Sequence, residues 1–135
     1  MKNIVIKEDI IPNLESVVNL YGDVFWGAYT SNPEQLENAL NNSLKIWTAW
    51  EDSLLIGLAR VVGDGCTIIY IQDILVLEAY QGRGLGSQFL EMILEEYQDV
   101  RQIILLTDDT EKTISFYEKK GLKQVNKYNC VAFMK

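Results

Sequence analysis

The run from Thr67 to Leu77, Thr-Ile-Ile-Tyr-Ile-Gln-Asp-Ile-Leu-Val-Leu, is apolar at odd and even positions alike. A strand that is hydrophobic on both faces has to be covered on both, so the run predicts an inner strand of a sheet with helices above and below it. Gln72 and Asp73 interrupt it, and strict alternation sends their side chains to opposite faces. Next comes the glycine-rich stretch Gln81-Gly82-Arg83-Gly84-Leu85-Gly86-Ser87. It opens a helix running to about Tyr97, with Leu85, Phe89, Ile93 and Tyr97 on one face and Gln88, Glu91 and Glu95 on another. A strand, a glycine loop and a helix start aim free backbone N–H groups at an anion, and Arg83 and Ser87 add donors. A pyrophosphate suits such a loop, although glycines at a strand-to-helix junction also serve a tight turn alone. Counted from Gly82, the third glycine of a dinucleotide G-x-G-x-x-G falls on Ser87, and the Gly-Lys-Ser/Thr of a P-loop is missing.

The rest of the chain builds around this unit. A first strand is predicted over Asn3 to Lys7, a helix from about Pro12 to Tyr21, and a second helix opened by Ser31-Asn32-Pro33-Glu34 and ending near Asn41. Leu44 to Glu51 and Ser53 to Val62 read as strands joined by a tight turn at Glu51-Asp52, and Gly63-Asp64-Gly65 turns the chain into the inner strand. After the glycine-loop helix come a strand over Gln102 to Thr107 and a helix over Asp108 to Lys120 that stops at Gly121. Two short closing strands are predicted near Lys123 to Val125 and Cys130 to Met134. The order describes an α/β fold: a mixed, mostly antiparallel central sheet with helices on both faces, in which a β-α-β crossover follows an antiparallel meander. With 135 residues and no Pro/Gly/Ser-rich linker, one domain over residues 1–135 is expected.

Composition narrows the chemistry. There is no histidine, so Ser-His-Asp and Cys-His nucleophilic sites and imidazole-based metal sites are excluded. Cys66 and Cys130 lack metal or disulfide spacing, and no metal is expected. A net charge of −7 with scattered Lys and Arg argues against nucleic acid as a partner. No apolar run approaches the roughly 18 residues of a membrane span, and the start of the chain has no secretory pattern. A cytoplasmic protein with no membrane partner is expected.

The six residues Gln81-Gly82-Arg83-Gly84-Leu85-Gly86 match every fixed position of Gln/Arg-x-x-Gly-x-Gly/Ala, the acetyl-CoA signature of the GCN5-related N-acetyltransferase (GNAT) family. Thr113-Ile114-Ser115-Phe116-Tyr117-Glu118-Lys119-Lys120-Gly121-Leu122 is similar to the family's second motif, and the element order resembles the family's along the whole chain. The resemblance implies the acyl-CoA N-acyltransferase fold and an acyltransferase using acetyl-CoA as cosubstrate. It implies that backbone N–H groups from Arg83 to Ser87 hold the CoA pyrophosphate, and that Ile74, Leu75 and Val76 pair with the pantetheine arm as an added strand would. Where the family often has Asn and Ala at the start of the second motif, this chain has Thr110 and Thr113.

Tyr117 stands at the position of the family's general acid, and a phenol with a pKa of about 10 matches a CoA thiolate in basicity. Read from spacing alone, it is a core aromatic in line with Ile114 and Gly121, its hydroxyl reaching the surface. Asp73 is the candidate base or amine-orienting carboxylate, or else a structural hydrogen-bond acceptor. Tyr21, Phe25, Trp26 and Tyr29 lie between the first two helices, which in this family cover the acceptor site; with Gln72 they are candidates to line it, or they are core aromatics. The expected acceptor is a primary amine of a small molecule or peptide, attacked directly in a ternary complex. A non-catalytic acetyl-CoA sensor is the alternative, and the apolar final segment leaves a homodimer open.

Overall fold

The computed structural model describes residues 3–25 and 27–135, in two compact units, Met1–Leu105 and Leu106–Lys135. The first unit is built on a five-stranded sheet in the order β1-β2-β3-β4-β5: β1 (Ile4–Glu8), β2 (Lys45–Glu51), β3 (Leu54–Gly63), β4 (Ile68–Val76) and β5 (Gln102–Leu105). The first three pairings are antiparallel and β4 runs parallel to β5, so the meander and the crossover stand as expected. Helix α1 spans Leu14–Phe25, one turn further than the spacing predicted; Asn13 accepts the Ser16 N–H at its start. Helix α2 spans Pro33–Asn41, capped by Asn32 through the Gln35 N–H and carrying Pro33 at its first position. The glycine loop opens α3, Leu85–Glu96.

Helices cover both faces of this sheet. Trp47 pairs with Ala59 across β2 and β3, and its ring meets Tyr97 at the end of α3 edge-on at 6.4 Å. A side chain on Gly57, two residues before Ala59, would come within 3.1 Å of the Phe89 ring of α3. Arg60, next in sequence to Ala59, therefore points the other way, where α1 lies. The core between these layers includes Leu20 of α1, Leu58 and Ala59 of β3, Ile69 of β4, and Phe89, Leu90 and Ile93 of α3, all fully buried.

The pairing of β3 with β4 contains an irregularity. Arg60 lies opposite Asp73 and Val61 opposite Ile71, so β3 advances one residue while β4 advances two, and Gln72 is the extra residue of a bulge. The second unit holds α4, Glu111–Glu118, with Thr110 as its N-cap, and a 3-10 turn at Val125–Tyr128. The two closing strands predicted near Lys123 to Val125 and Cys130 to Met134 do not form. The chain is instead turned at Asn129, which holds a left-handed φ of 59°, and Val131 and Phe133 are 73% and 92% exposed. Alternating apolar residues predict a strand only where an apolar face lies over a core.

Candidate functional site

Two sets of groups adjoin β4, one at its bulge and one beyond its C-terminal end. The first is a polar cluster on the α1 face. Asp73 is 3% exposed, and its Oδ2 accepts from Arg60 Nε at 2.6 Å and from Tyr21 Oη at 2.9 Å. Its Oδ1 accepts from Tyr29 Oη at 3.2 Å, and Gln72 Nε2 donates to that same tyrosine oxygen at 3.2 Å. Arg60 also donates from Nη1 to Ser43 Oγ at 3.3 Å. Gln72 and Asp73 thus converge on one hydroxyl rather than dividing between faces, because the bulge breaks the alternation that the expectation assumed.

The aromatic residues around this cluster differ in exposure. Tyr21 is fully buried and sits beneath the site, held to Asp73; burial, with the Asp73 carboxylate beside it, raises its phenol pKa far above the usual tyrosine range. Tyr29 is part-buried, and burial and Asp73 push its pKa up as well. Its ring lies 5.1 Å from Tyr21 and 5.1 Å from Phe25, making a three-ring cluster. Trp26, a fourth candidate from the sequence, lies outside the described residues. Arg60 is the member that sequence reasoning missed. It was visible as the lone charge inside the apolar run of β3, but only the register places it opposite Asp73.

The second set is the glycine loop. β4 ends at Val76, whose carbonyl accepts from Gln81 Nε2 at 3.0 Å, so the first side chain of the signature folds back to brace the strand end. A 3-10 turn, Glu78–Tyr80, intervenes; it is tied to α1 by Asp23 accepting the Glu78 N–H at 2.8 Å and to β2 by Tyr80 Oη donating to Glu51 at 2.6 Å. Arg83 lies over the Tyr80 ring at 4.9 Å. Gly82 and Gly84 have φ of 80° and 83°, and a Cβ built on either meets nothing within 4 Å. They are glycines for the sake of the backbone angle, on a side of the loop open to a ligand. Gly84 caps α3, so the N–H groups of the helix's first turn, Leu85 to Ser87, have no partner within the helix. Positive φ followed by a helix start makes a concave set of donors suited to a diphosphate.

The second unit carries the remaining candidates. Thr110 Oγ1 accepts the Thr113 N–H at 3.2 Å and donates to Thr113 Oγ1 at 2.8 Å, so its hydroxyl caps α4. Tyr117 lies in α4, its ring edge-on to Phe116 at 5.0 Å. Burial raises its phenol pKa while a hydrogen bond with Thr107 works against the rise, and the hydroxyl stays protonated across the neutral range. Among the described residues, no group of His, Cys, Asp and Glu side chains is placed to hold a metal ion.

The Acetyltransferase (GNAT) domain family matches residues 42–124, from just before β2 through α4. The chain belongs to the GNAT family. A GNAT family acetyltransferase of Streptococcus pneumoniae is 36% identical, with 98% of this chain and 97% of that one superposing at a TM-score of 0.87. A probable acetyltransferase of methicillin-resistant Staphylococcus aureus is 29% identical over 98% of this chain and 99% of its own, with a TM-score of 0.81. A ycf52-like N-acetyltransferase of Prochlorococcus marinus is 32% identical over 73% of this chain, which spans only 57% of that relative's length.

Proposed function

We propose that this chain is a single N-acetyltransferase domain over residues 1–135 that transfers acetyl from acetyl-CoA to a primary amine of a small molecule or peptide by direct attack in a ternary complex, in the cytoplasm. The observation that carries this reading is the glycine loop: Gly82 and Gly84 at positive φ, open space beside them, and a helix start behind them. Arg83 to Ser87 hold the CoA pyrophosphate, and Ile74, Leu75 and Val76, at the end of β4, run alongside the pantetheine arm. Thr110 and Thr113 are proposed CoA contacts, Thr110 in place of the asparagine frequent in the family. The amine nitrogen attacks the thioester carbonyl, an N–C bond forms and the C–S bond breaks. Tyr117 gives its phenolic proton to the departing sulfur and regains one from solvent, which also takes the proton lost by the amine.

The test begins with calorimetric titration by acetyl-CoA, with NAD as control. Micromolar binding, about −8 kcal/mol, with silence toward NAD is expected; a folded sample that ignores acetyl-CoA would sink the proposal. Thiol release with an amine panel follows. Tyr117→Phe should lower kcat by about a hundredfold or more, the range for a lost general acid, with acetyl-CoA affinity held. A wild-type rate in that variant removes Tyr117 from the mechanism.

A further inference from the structure

The glycine loop has to hold its shape before a ligand arrives, and its own backbone is poorly suited to do so. Gly82 and Gly84 both take left-handed φ, and glycine has the most backbone freedom to lose. A loop ordered only on binding loses affinity to that ordering, so a restraint already present in the free protein raises affinity. Between the two glycines stands Arg83. Its guanidinium lies 4.9 Å from the centroid of the Tyr80 ring, and its Nη2 donates to the Ala79 carbonyl at 3.4 Å. Tyr80 is fixed in turn from outside the loop, its Oη donating to Glu51 Oε1 at 2.6 Å. Glu51 is a rigid anchor: it ends β2, a strand paired on both sides, and lies opposite Ile4 of β1 and Leu54 of β3. The other end of the 3-10 turn that carries Tyr80 is held by Asp23, which accepts the Glu78 N–H.

We infer that Glu51, Tyr80 and Arg83 form a positioning clamp, running from the sheet through a phenol ring to the backbone between Gly82 and Gly84, that sets the loop in its diphosphate-binding shape. The inference rests on the acetyl-CoA reading of the loop and adds to it two residues, Glu51 and Tyr80, that act through Arg83. The chemistry of Glu51 favours this role. A carboxylate has no donor to offer a diphosphate, and its charge opposes one. What Glu51 gives to an anion loop is therefore position. By accepting the phenol proton it also leaves the Tyr80 ring richer in electrons, which strengthens the hold of the ring on the guanidinium. Charge and position make opposite forecasts: removing Glu51 tightens the binding of an anion if its charge is all that matters, and weakens it if the clamp operates.

The experiment compares two ligands: acetyl-CoA, by calorimetry, and S-acetylpantetheine, which has the same arm and thioester without the diphosphate, by ligand-observed NMR. Tyr80→Phe, which keeps the ring and loses its tie, and Glu51→Ala are each expected to raise the acetyl-CoA Kd about fivefold or more, within the range for a lost hydrogen bond to a charged group. The affinity for S-acetylpantetheine should be unchanged in both. Glu51→Gln keeps an acceptor for the phenol and sheds the opposing charge, so it should bind acetyl-CoA at least as well as the wild type. Arg83→Ala should weaken acetyl-CoA binding as well, and its loss combined with that of Tyr80→Phe should fall short of the sum, since both break one clamp. Tighter acetyl-CoA binding by Glu51→Ala overturns the inference, as does a Glu51→Gln protein that binds as weakly as Glu51→Ala. A loss shared equally by S-acetylpantetheine overturns it too, being a general loosening of the fold, and so does full additivity between Arg83→Ala and Tyr80→Phe. A folded wild type that ignores acetyl-CoA condemns the donor site itself, before any variant is compared.

Discussion

The polar cluster and the glycine loop both adjoin β4 and are built by opposite means. In the polar cluster, the groups are side chains drawn from α1, the turn after it, β3 and β4, bonded to one another from fully buried Tyr21 to part-buried Tyr29. In the glycine loop, the groups are backbone N–H groups at a helix start, and the side chains are turned to internal tasks: Gln81 braces Val76 and Arg83 stacks on Tyr80. A backbone site is determined by local conformation. A side-chain site depends on the register of the whole sheet.

That contrast breaks if the two respond alike to mutation. The largest expected effect is Asp73→Ala, which strands the buried Arg60 charge and should cost about 3–5 kcal/mol of stability, read by chemical denaturation. Replacing both partners, Arg60→Met with Asp73→Leu, should recover only part of it, because the charge penalty disappears while the buried Tyr21 hydroxyl still lacks its acceptor. A single variant as stable as the wild type would show that the pair is not buried in solution.

A smaller effect is expected in alkali. The fold holds the Tyr21 phenol protonated, its pKa raised chiefly by burial and then by Asp73, while the unfolded chain titrates near the ordinary value of 10.0. The stability this provides is complete below pH 10 and falls as the pH rises above it, by about 1.4 kcal/mol at pH 11. Melting temperatures should therefore decline more steeply above pH 10 for the wild type than for Tyr21→Phe; equal slopes would remove Tyr21 from the account.

In the glycine loop, Gly84→Ala meets no steric obstacle, so its cost is the left-handed backbone alone, about 1 kcal/mol, and the loop's affinity for acetyl-CoA should fall with it. The smallest effect is expected at Ser87→Ala, which keeps the N–H and should leave acetyl-CoA affinity within about threefold. A large loss there would mean that side chains, not backbone, hold the diphosphate.

The glycine loop was legible because positive φ leaves a mark in the residue type itself. The helices were legible from Asn32-Pro33 and from the spacing of Leu85, Phe89 and Ile93. What misled was alternation. It placed Gln72 and Asp73 on opposite faces, where the bulge brings both to Tyr29, and it drew strands at the apolar C-terminal segment, where Phe133 has no core beneath it.

The sequence by itself determined the order of strands and helices as far as α4, the strand, loop and helix around Gly82 and Gly84, and the absence of histidine chemistry, because each depends on residue types and spacings within a few turns of chain. Only the tertiary structure decided that Asp73 is paired with Arg60 and hydrogen-bonded by Tyr29. Those residues are brought together across three elements by a register shift of one residue, and a shift of that kind is set by packing of the whole sheet.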